Sequence, residues 1–467
     1  MYISGLSSNI DTTQIIEELM SIERSSIDNI KVKQNLLDKK KEIYNDISSR
    51  LNNLKSLAGD LSSESAFNIY NVSYSEQSIV QWTIASNAAA ANYSVTVNSI
   101  ATAHTIGSDR KDSSTEALGL TAGVIKINGV DIEVNELDSL NSIRDKINNA
   151  EDANVRATVV DNVLRLRSVN TGAENQIQLV DGNNILVDLG ILSSDSTIKN
   201  EFVAASDASI TIDGQDITSS TNSITDVIDG ATLQLLKTGT TNVSVERDTA
   251  AIAAKIKNFV NQYNSAIDLI YSKVTEKRIY PIESESDRYF GLVNGDVTLN
   301  NIKYNLNNLF TSGVSGLDES LSSLASIGIT KSSFNGTTSD STSMLAGKLV
   351  INDTELNEAI ASDFEAVKNL FTKNNGVSDL EVEDYGIGVR VNNYLYNITN
   401  STTGILKSKS SSFEKEISMF QKQIETVEAR LETKEESLIK KFAAMEAAMN
   451  SSNTQLQWLQ QLMGTLF

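Results

Sequence analysis

The 467-residue chain has no cysteine and a single histidine, His104. Disulfides, thiol nucleophiles and zinc clusters are excluded, as is every motif that needs two histidines. It has one proline, Pro281, where ordinary usage of ~5% would place about 23. Scarce proline permits long uninterrupted helices and removes slow isomerisation steps. That suits a chain that travels unfolded and folds on arrival, although compositional drift would leave the same mark. Basic residues are in deficit: 39 Lys and Arg against 60 Asp and Glu give a net charge of −21 and a pI near 4.6. Such a surface repels phosphate backbones and anionic lipid, so nucleic acid is not an expected partner. No apolar run approaches ~18 residues, so no membrane insertion is expected. The opening residues also lack the basic and apolar regions of a secretory signal.

Catalytic signatures are missing too. No serine sits in a G-x-S-x-G elbow, and neither a phosphate loop nor a calcium loop occurs. His104, in Ile100-Ala101-Thr102-Ala103-His104-Thr105, reads as a strand histidine with a structural hydrogen bond. We expect no enzyme activity, no cofactor and no tightly bound metal.

What is present is periodicity. Asp11 can cap a helix starting at Thr12, with Gln14 at its third position and Ile10 and Ile15 placed as a hydrophobic staple. Tyr44, Ile47, Leu51, Leu54, Ala58 and Leu61 then repeat at alternating spacings of three and four, the seam of a coiled coil or bundle. Upstream, Ser26, Lys33 or Gln34, and Lys40 or Lys41 fall where apolar residues are wanted. At the other end Phe413, Ile417, Phe420, Ile424, Val427 and Leu431 form a seam, Lys434 interrupts it, and Leu438, Phe442, Met445 and Met449 resume it. Helices over roughly 12–61 and 413–463 would each be about 75 Å long at ~1.5 Å per residue. Matched lengths suggest an antiparallel pair. Lys31, Lys33, Lys39, Lys40 and Lys41 would then face Glu425, Glu428, Glu432, Glu435 and Glu436, although solvated helix faces would carry the same charges. The clean seams lie at the inner ends of the two helices and the interrupted seams near the termini.

From Phe67 to about Glu246 the texture changes to short alternating apolar runs between Gly, Asn, Asp and Ser, the signature of β-hairpins. A near-repeat pairs Val124-Ile125-Lys126-Ile127-Asn128-Gly129 with Ser209-Ile210-Thr211-Ile212-Asp213-Gly214; Asn-Gly and Asp-Gly suit type I′ turns. Leu140–Ile147 and Ile224–Ile228, which follow the two copies, read as short helical turns. After Asp248 the positions Ile252, Ile256, Phe259, Tyr263, Ile267, Ile270 and Val274 return to helical spacing, and helices are expected to dominate from there to the end. The fold class is therefore α+β: an antiparallel coiled-coil or helical-bundle leg from both termini with an inserted β-rich two-domain head. The expected domains are 1–43 with 432–467 as terminal tip, 44–67 with 248–431 as stem, 68–104 with 201–247 as outer head domain, and 105–200 as inner head domain.

Several separate motifs resemble the flagellar filament cap family, also called hook-associated protein 2. Gly5-Leu6-Ser7-Ser8-Asn9-Ile10-Asp11, then Leu19-Met20 and Glu23, is similar to the family's opening, with Asn9 in place of its usual glycine. Asn92-Tyr93-Ser94-Val95-Thr96-Val97 resembles its first head strand, and Phe259-Val260-Asn261-Gln262-Tyr263-Asn264 its return helix. Ile327-Gly328-Ile329 and Gly347-Lys348-Leu349 resemble its later helical region, and Phe442-Ala443-Ala444-Met445-Glu446 its ending. The resemblance implies a secreted, extracellular protein at the flagellum tip, exported unfolded, which forms a homo-oligomeric ring and promotes flagellin insertion. Implied partners are itself, flagellin, hook-filament junction proteins and a flagellar export chaperone; a host surface is a further candidate. A flagellin-like or junction protein, or an adhesin using the acidic head, is the alternative. The expected assembly residues are Gly5, Leu6, Asp11, Leu19, Met20, Phe442, Met445 and Glu446, together with Leu456, Leu459, Leu462 and Phe467 beyond the last seam break.

Overall fold

The computed structural model describes residues 11–333, 338–374 and 382–464. The chain divides into two compact units, one formed by Asn68–Asp248 and the other by the chain on either side of it. The flanking unit begins with α1 (Thr12–Leu61), whose Asp11 cap accepts N–H groups from Thr13 and Gln14 at 3.1 and 3.0 Å. Ile10, the expected staple partner, lies outside the described residues.

The inserted unit is β-rich. Its elements are β1 (Tyr70–Tyr74), β2 (Val80–Ile84), β3 (Ala91–Ser99), β4 (Thr105–Gly107), β5 (Gly123–Ile127), β6 (Val130–Val134), α2 (Leu140–Asn149), β7 (Val155–Val160), β8 (Val163–Ser168), β9 (Leu179–Val180) and α3 (Ile185–Leu189). They continue with β10 (Glu201–Val203), β11 (Ala208–Ile212), β12 (Gln215–Ser219), β13 (Ser223–Ile228), β14 (Ala231–Leu235) and β15 (Gly239–Arg247). A five-stranded sheet, β1-β15-β3-β11-β12, and a three-stranded one, β13-β14-β2, enclose a core holding Trp82, Val95, Ile210, Leu233 and Val243. A four-stranded sheet, β10-β4-β8-β7, and a three-stranded one, β6-β5-β9, join α2 and α3 around a second core holding Ile106, Ile125, Ile143, Leu164 and Leu186. Every buried residue of the second core falls between Ile106 and Leu192, in the sequence gap of the first.

Turn chemistry sets the registers. Asn128-Gly129 has φ of 51° and 85°, and Asp213-Gly214 has 49° and 87°, the positive pair that a type I′ hairpin demands. The first closes β5–β6 in the second core and the second closes β11–β12 in the first. The two segments expected as helical turns differ in outcome: 140–147 lies in α2, but Ile224–Ile228 belongs to strand β13. Asp229-Gly230 follows it, Gly230 has φ of 70°, and Ile228 pairs with Ala231, so a third Asp-Gly turn folds this β-branched run back on β14. The strand expected first in the head, from Asn92, is the third.

The flanking unit continues through α4 (Thr249–Thr275), α5 (Val297–Thr311), β16 (Ile329–Lys331), α6 (Thr338–Ala346), β17 (Leu349–Ile351), α7 (Asp353–Ser362), α8 (Phe364–Thr372), α9 (Ile387–Thr399) and α10 (Ile405–Gly464). All seven periodic residues from Ile252 to Val274 are buried in its core. Phe259 and Tyr263 lie 4.8 and 4.0 Å from the Phe310 ring. The pair β16–β17 lies in a region where helices are expected to dominate, and it joins two motifs read separately from the sequence. Gly328 and Gly347, at φ of 79° and 86°, flank the ladder. Asn264 grips it: its side-chain amide exchanges hydrogen bonds with the backbone of Leu349, both 2.7 Å, while the Tyr263 hydroxyl donates to the Gly347 carbonyl at 2.9 Å. Burial pushes the Tyr263 phenol pKa up, so it remains a donor.

Candidate assembly surface

The surface of interest is the long pair formed by α1 and α10. Its inner end is dry: Tyr44, Ile47, Leu51, Leu54, Ala58 and Leu61 are each at most 1% exposed. Tyr44 packs edge-on against Phe413 of α10, 5.4 Å between centroids, and its hydroxyl donates to Asp296 at 2.7 Å. Burial is the larger cause, and the Asp296 contact the smaller, of a phenol pKa pushed well up. Asp296 also caps α5 by accepting the Leu299 N–H, so one carboxylate fixes two helices.

The outer end is built differently. From Tyr44 the seam runs back in alternating steps of three and four through Lys41, Leu37, Gln34, Ile30, Ile27, Glu23, Met20 and Ile16. Ile27, not Ser26, therefore occupies the seam, and Ser26 is exposed. Met20, Ile27, Ile424 and Leu431 form a small core, with Ile16, Ile30, Val427 and Leu438 packed on its margin. Between Ile27 and Tyr44 no α1 residue is fully buried.

The polar seam positions meet each other. Glu23 pairs with Lys434, the residue that interrupts the α10 seam, and Lys41 pairs with Glu414 at 3.0 Å. Arg24 reaches Glu435 at 3.7 Å. Glu23–Lys434 and Lys41–Glu414 fix an antiparallel register, because between them residue numbers rise on α1 and fall on α10. The lysine-glutamate pattern expected from sequence holds in part: Lys31 lines a groove with Glu428, Glu432 and Glu435, but Lys41 meets Glu414, outside the 425–436 run, and Lys39 pairs with Glu42 on its own helix. Side-chain hydrogen bonding to Lys434 and Lys41 lowers the pKa values of Glu23 and Glu414.

Of the expected assembly residues, Asp11 is the N-cap of α1 and Met20 is inside the small core, whereas neighbouring Leu19 is exposed. Phe442 and Glu446 are half-buried, and Met445 is exposed despite its place in the seam. Leu456 and Leu459 are 55% and 51% exposed on the last turns of α10. Gly5, Leu6 and Phe467, and the Leu462 side chain, lie outside the described residues. Sequence reasoning passes over Trp458 and Met463, exposed by 63% and 62%. Met463 is legible, because 449, 452, 456, 459 and 463 continue the three-four alternation with only Ser452 polar.

His104 is buried and structural in its contacts. Its Nδ1 accepts the Ile177 N–H at 2.9 Å, which places the ring proton on Nε2, where it donates to Glu201 at 3.1 Å. Among the described residues no group of three or more His, Asp or Glu side chains is placed to hold a metal ion, and no helix is long and apolar enough to cross a membrane.

A helical unit formed by the chain on either side of an inserted β-rich unit defines an α+β protein of discontinuous organisation. The model of the flagellar hook-associated protein 2 C-terminus matches residues 205–454, more than half of the chain, and that of its N-terminus matches residues 8–104. The chain belongs to the flagellar hook-associated protein 2 family, the filament caps. It is 32% identical over 242 residues to flagellar hook-associated protein 2 of Salmonella typhimurium, covering 50% of this chain and 48% of that protein. The Escherichia coli (strain K12) counterpart is 27% identical over 427 residues, 86% of this chain and 85% of that one. The crystal structure of the flagellar cap protein FliD D1-D2-D3 domains from Escherichia coli superposes with a TM-score of 0.62 at 27% identity, covering 80% of this chain and 99% of that chain.

Proposed function

We propose that this protein caps the distal tip of a bacterial flagellar filament, outside the cell, as a homo-oligomeric ring that promotes insertion and polymerisation of flagellin. The observation that carries this reading is the far end of α10. Leu456, Trp458, Leu459 and Met463 stand open to water on a helix whose preceding seam packs on α1. Exposed apolar residues at seam spacing are the mark of a helix that completes its burial on a partner. Family membership supports copies of the chain and flagellin as partners, and the proposal extends to hook-filament junction proteins and an export chaperone. The role is positional and needs no covalent chemistry. Within this reading, 1–43 with 432–467 form the tip that engages partners, 44–67 with 248–431 the stem, 68–104 with 201–247 the outer head domain and 105–200 the inner one. Gly5, Leu6, Leu19, Met20, Phe442, Met445, Glu446, Leu456, Leu459, Leu462 and Phe467 are proposed tip contacts, with Asp11 holding the helix start.

The family match favours a cap over a flagellin-like or junction protein, and no observation favours the adhesin. Electron microscopy of the purified protein added to short flagellin filaments tests the reading. Added density at one end only is expected; density along the sides, or none, overturns it.

A further inference from the structure

The sheet β10-β4-β8-β7 turns one face onto the second head core and presents the other to solvent. On the solvent face lie Arg156 and Thr158 from β7, and Val163, Arg165 and Arg167 from β8. Arg156 sits directly opposite Arg167 in the ladder, and Arg165 opposite Thr158. Like charges facing each other across strands destabilise a sheet, so stability alone does not account for the pair. Nearby arginines have acidic partners, Arg110 with Asp161 and Arg144 with Asp145. By contrast, none of the three sheet arginines has an ion pair among the described residues.

Arg165 is held in place by an aromatic contact. The Phe202 ring lies 4.7 Å from its guanidinium carbon. Phe202 reaches it over Gly107, where an added Cβ would come within 2.6 Å of the ring. The Arg165 Nε is buried without a hydrogen-bond partner. Around the arginines, Val160, Phe202 and Val203 are 49%, 46% and 42% exposed. Arginine interleaved with an aromatic ring and valines is the composition of a protein interface, and the guanidinium fork fits a carboxylate.

We infer that this face is an interface that receives carboxylates from a second copy of this chain. The inference rests on the proposed ring. Copies that each carry −21 repel one another, so a contact between them needs a basic face on one side to set against the acidic surface of the other.

The absence of cysteine makes the test direct. Thr158→Cys introduces one thiol between the arginines without replacing them, and it is labelled with a benzophenone maleimide. Assembly of the labelled full-length chain is followed by sedimentation velocity, and cross-links are mapped after illumination. Assembled protein should cross-link through residue 158 to an acidic segment of another copy. The yield should fall several-fold in high salt and several-fold again with Arg156→Gln and Arg167→Gln added. Those two substitutions should not lower the melting temperature, because they relieve a repulsion. Assembly without a cross-link between copies at 158, or a cross-link unaffected by the glutamines, overturns the inference and leaves the ring intact. Failure of the unlabelled parent chain to assemble overturns the ring reading and the inference with it. Dextran sulfate binding to this face in place of a second copy overturns it in favour of a sulfated partner.

Discussion

The two halves of the α1–α10 pair use the same seam spacing to opposite effect. At the inner half, six α1 residues are dry, and α4 and α9 pack beside the pair. At the outer half, full burial along the seam falls to Met20 and Ile27 on α1 and Ile424 and Leu431 on α10, and the other α1 seam positions mix the apolar Ile16, Ile30 and Leu37 with the polar Glu23, Gln34 and Lys41. Burial near ~1.5–3 kcal/mol per large side chain must offset an ordering cost near ~1–2 kcal/mol per residue. The inner half has neighbours enough to do so. The outer half has fewer buried residues and carries ion pairs across its seam; in the proposed cap, a partner would supply the rest of its burial.

The largest expected effect tests the inner half. Leu54→Ala should cost about 2–5 kcal/mol and lower the urea midpoint of the whole helical unit. Ile27→Ala removes a similar side chain from the outer core, yet its effect should be confined to faster hydrogen exchange over roughly residues 12–40. Equal shifts of the urea midpoint by the two variants, or equal protection of 12–40 and 44–61 in the parent protein, would erase the distinction between the halves.

Next in size is a gain. Glu23→Leu with Lys434→Leu should stabilise the outer half, by less than two full burials because both positions are partly open. It should also loosen register, since a polar pair in a seam specifies alignment at a cost in stability. Hydrogen exchange should slow over residues 12–40, and a thiol pair introduced across the helices should cross-link in more than one register. Unchanged exchange would mean that the pair is not seam-facing.

How much of this is legible in the sequence depends on which force sets each feature. The inner seam, the α4 stripe and the two Asx-Gly hairpins are readable because a local rule, period or turn chemistry, agrees with the tertiary fold at those residues. The outer seam is misphased by one residue at Ser26 because Ile27 and Ile30 are separated by polar residues, and only counting back from Tyr44 recovers the alternation. Ile224–Ile228 reads wrongly as helix because helical spacing and a β-branched run coincide there, and the Asp229-Gly230 turn decides between them. The clamp of Asn264 on Leu349 cannot be read, since it joins residues 85 apart in sequence. The arginine face is hidden for the same reason: alternation shows that Arg165 and Arg167 share a face, but only the register brings Arg156 opposite.

A smaller effect belongs to the first turn. Asp11→Ala removes the acceptor for the Thr13 and Gln14 N–H groups, at a cost of about 1 kcal/mol. Because the helix start belongs to the outer half, the loss should appear as fraying over the first turns, seen by exchange, with no change in the urea midpoint. A shifted midpoint would couple the tip to the stem more tightly than the burial pattern allows.

The smallest effect is electrostatic, and pH separates it from burial. Glu23 and Glu414 are held below the ordinary value of 4.5, chiefly by side-chain hydrogen bonds from Lys434 and Lys41. A carboxylate whose pKa is depressed on folding stabilises the fold above its unfolded pKa and loses that contribution as pH falls through the folded one. The two pairs should therefore hold at neutral pH and weaken progressively below about 4.5, with exposure keeping each small and salt screening them further. Leu51 and Leu54 carry no titratable group, so acid should loosen the outer half more than the inner. Hydrogen exchange over residues 12–40, followed from pH 6 to about pH 3 with correction for intrinsic rates, should show a greater loss of protection there than over 44–61. Glu23→Gln should flatten the profile near the Glu23–Lys434 pair and leave the Glu414 region unchanged. Loss of protection that begins at 44–61, or a profile unaffected by Glu23→Gln, would show that the outer register is held by the four-residue apolar core and not by its charges.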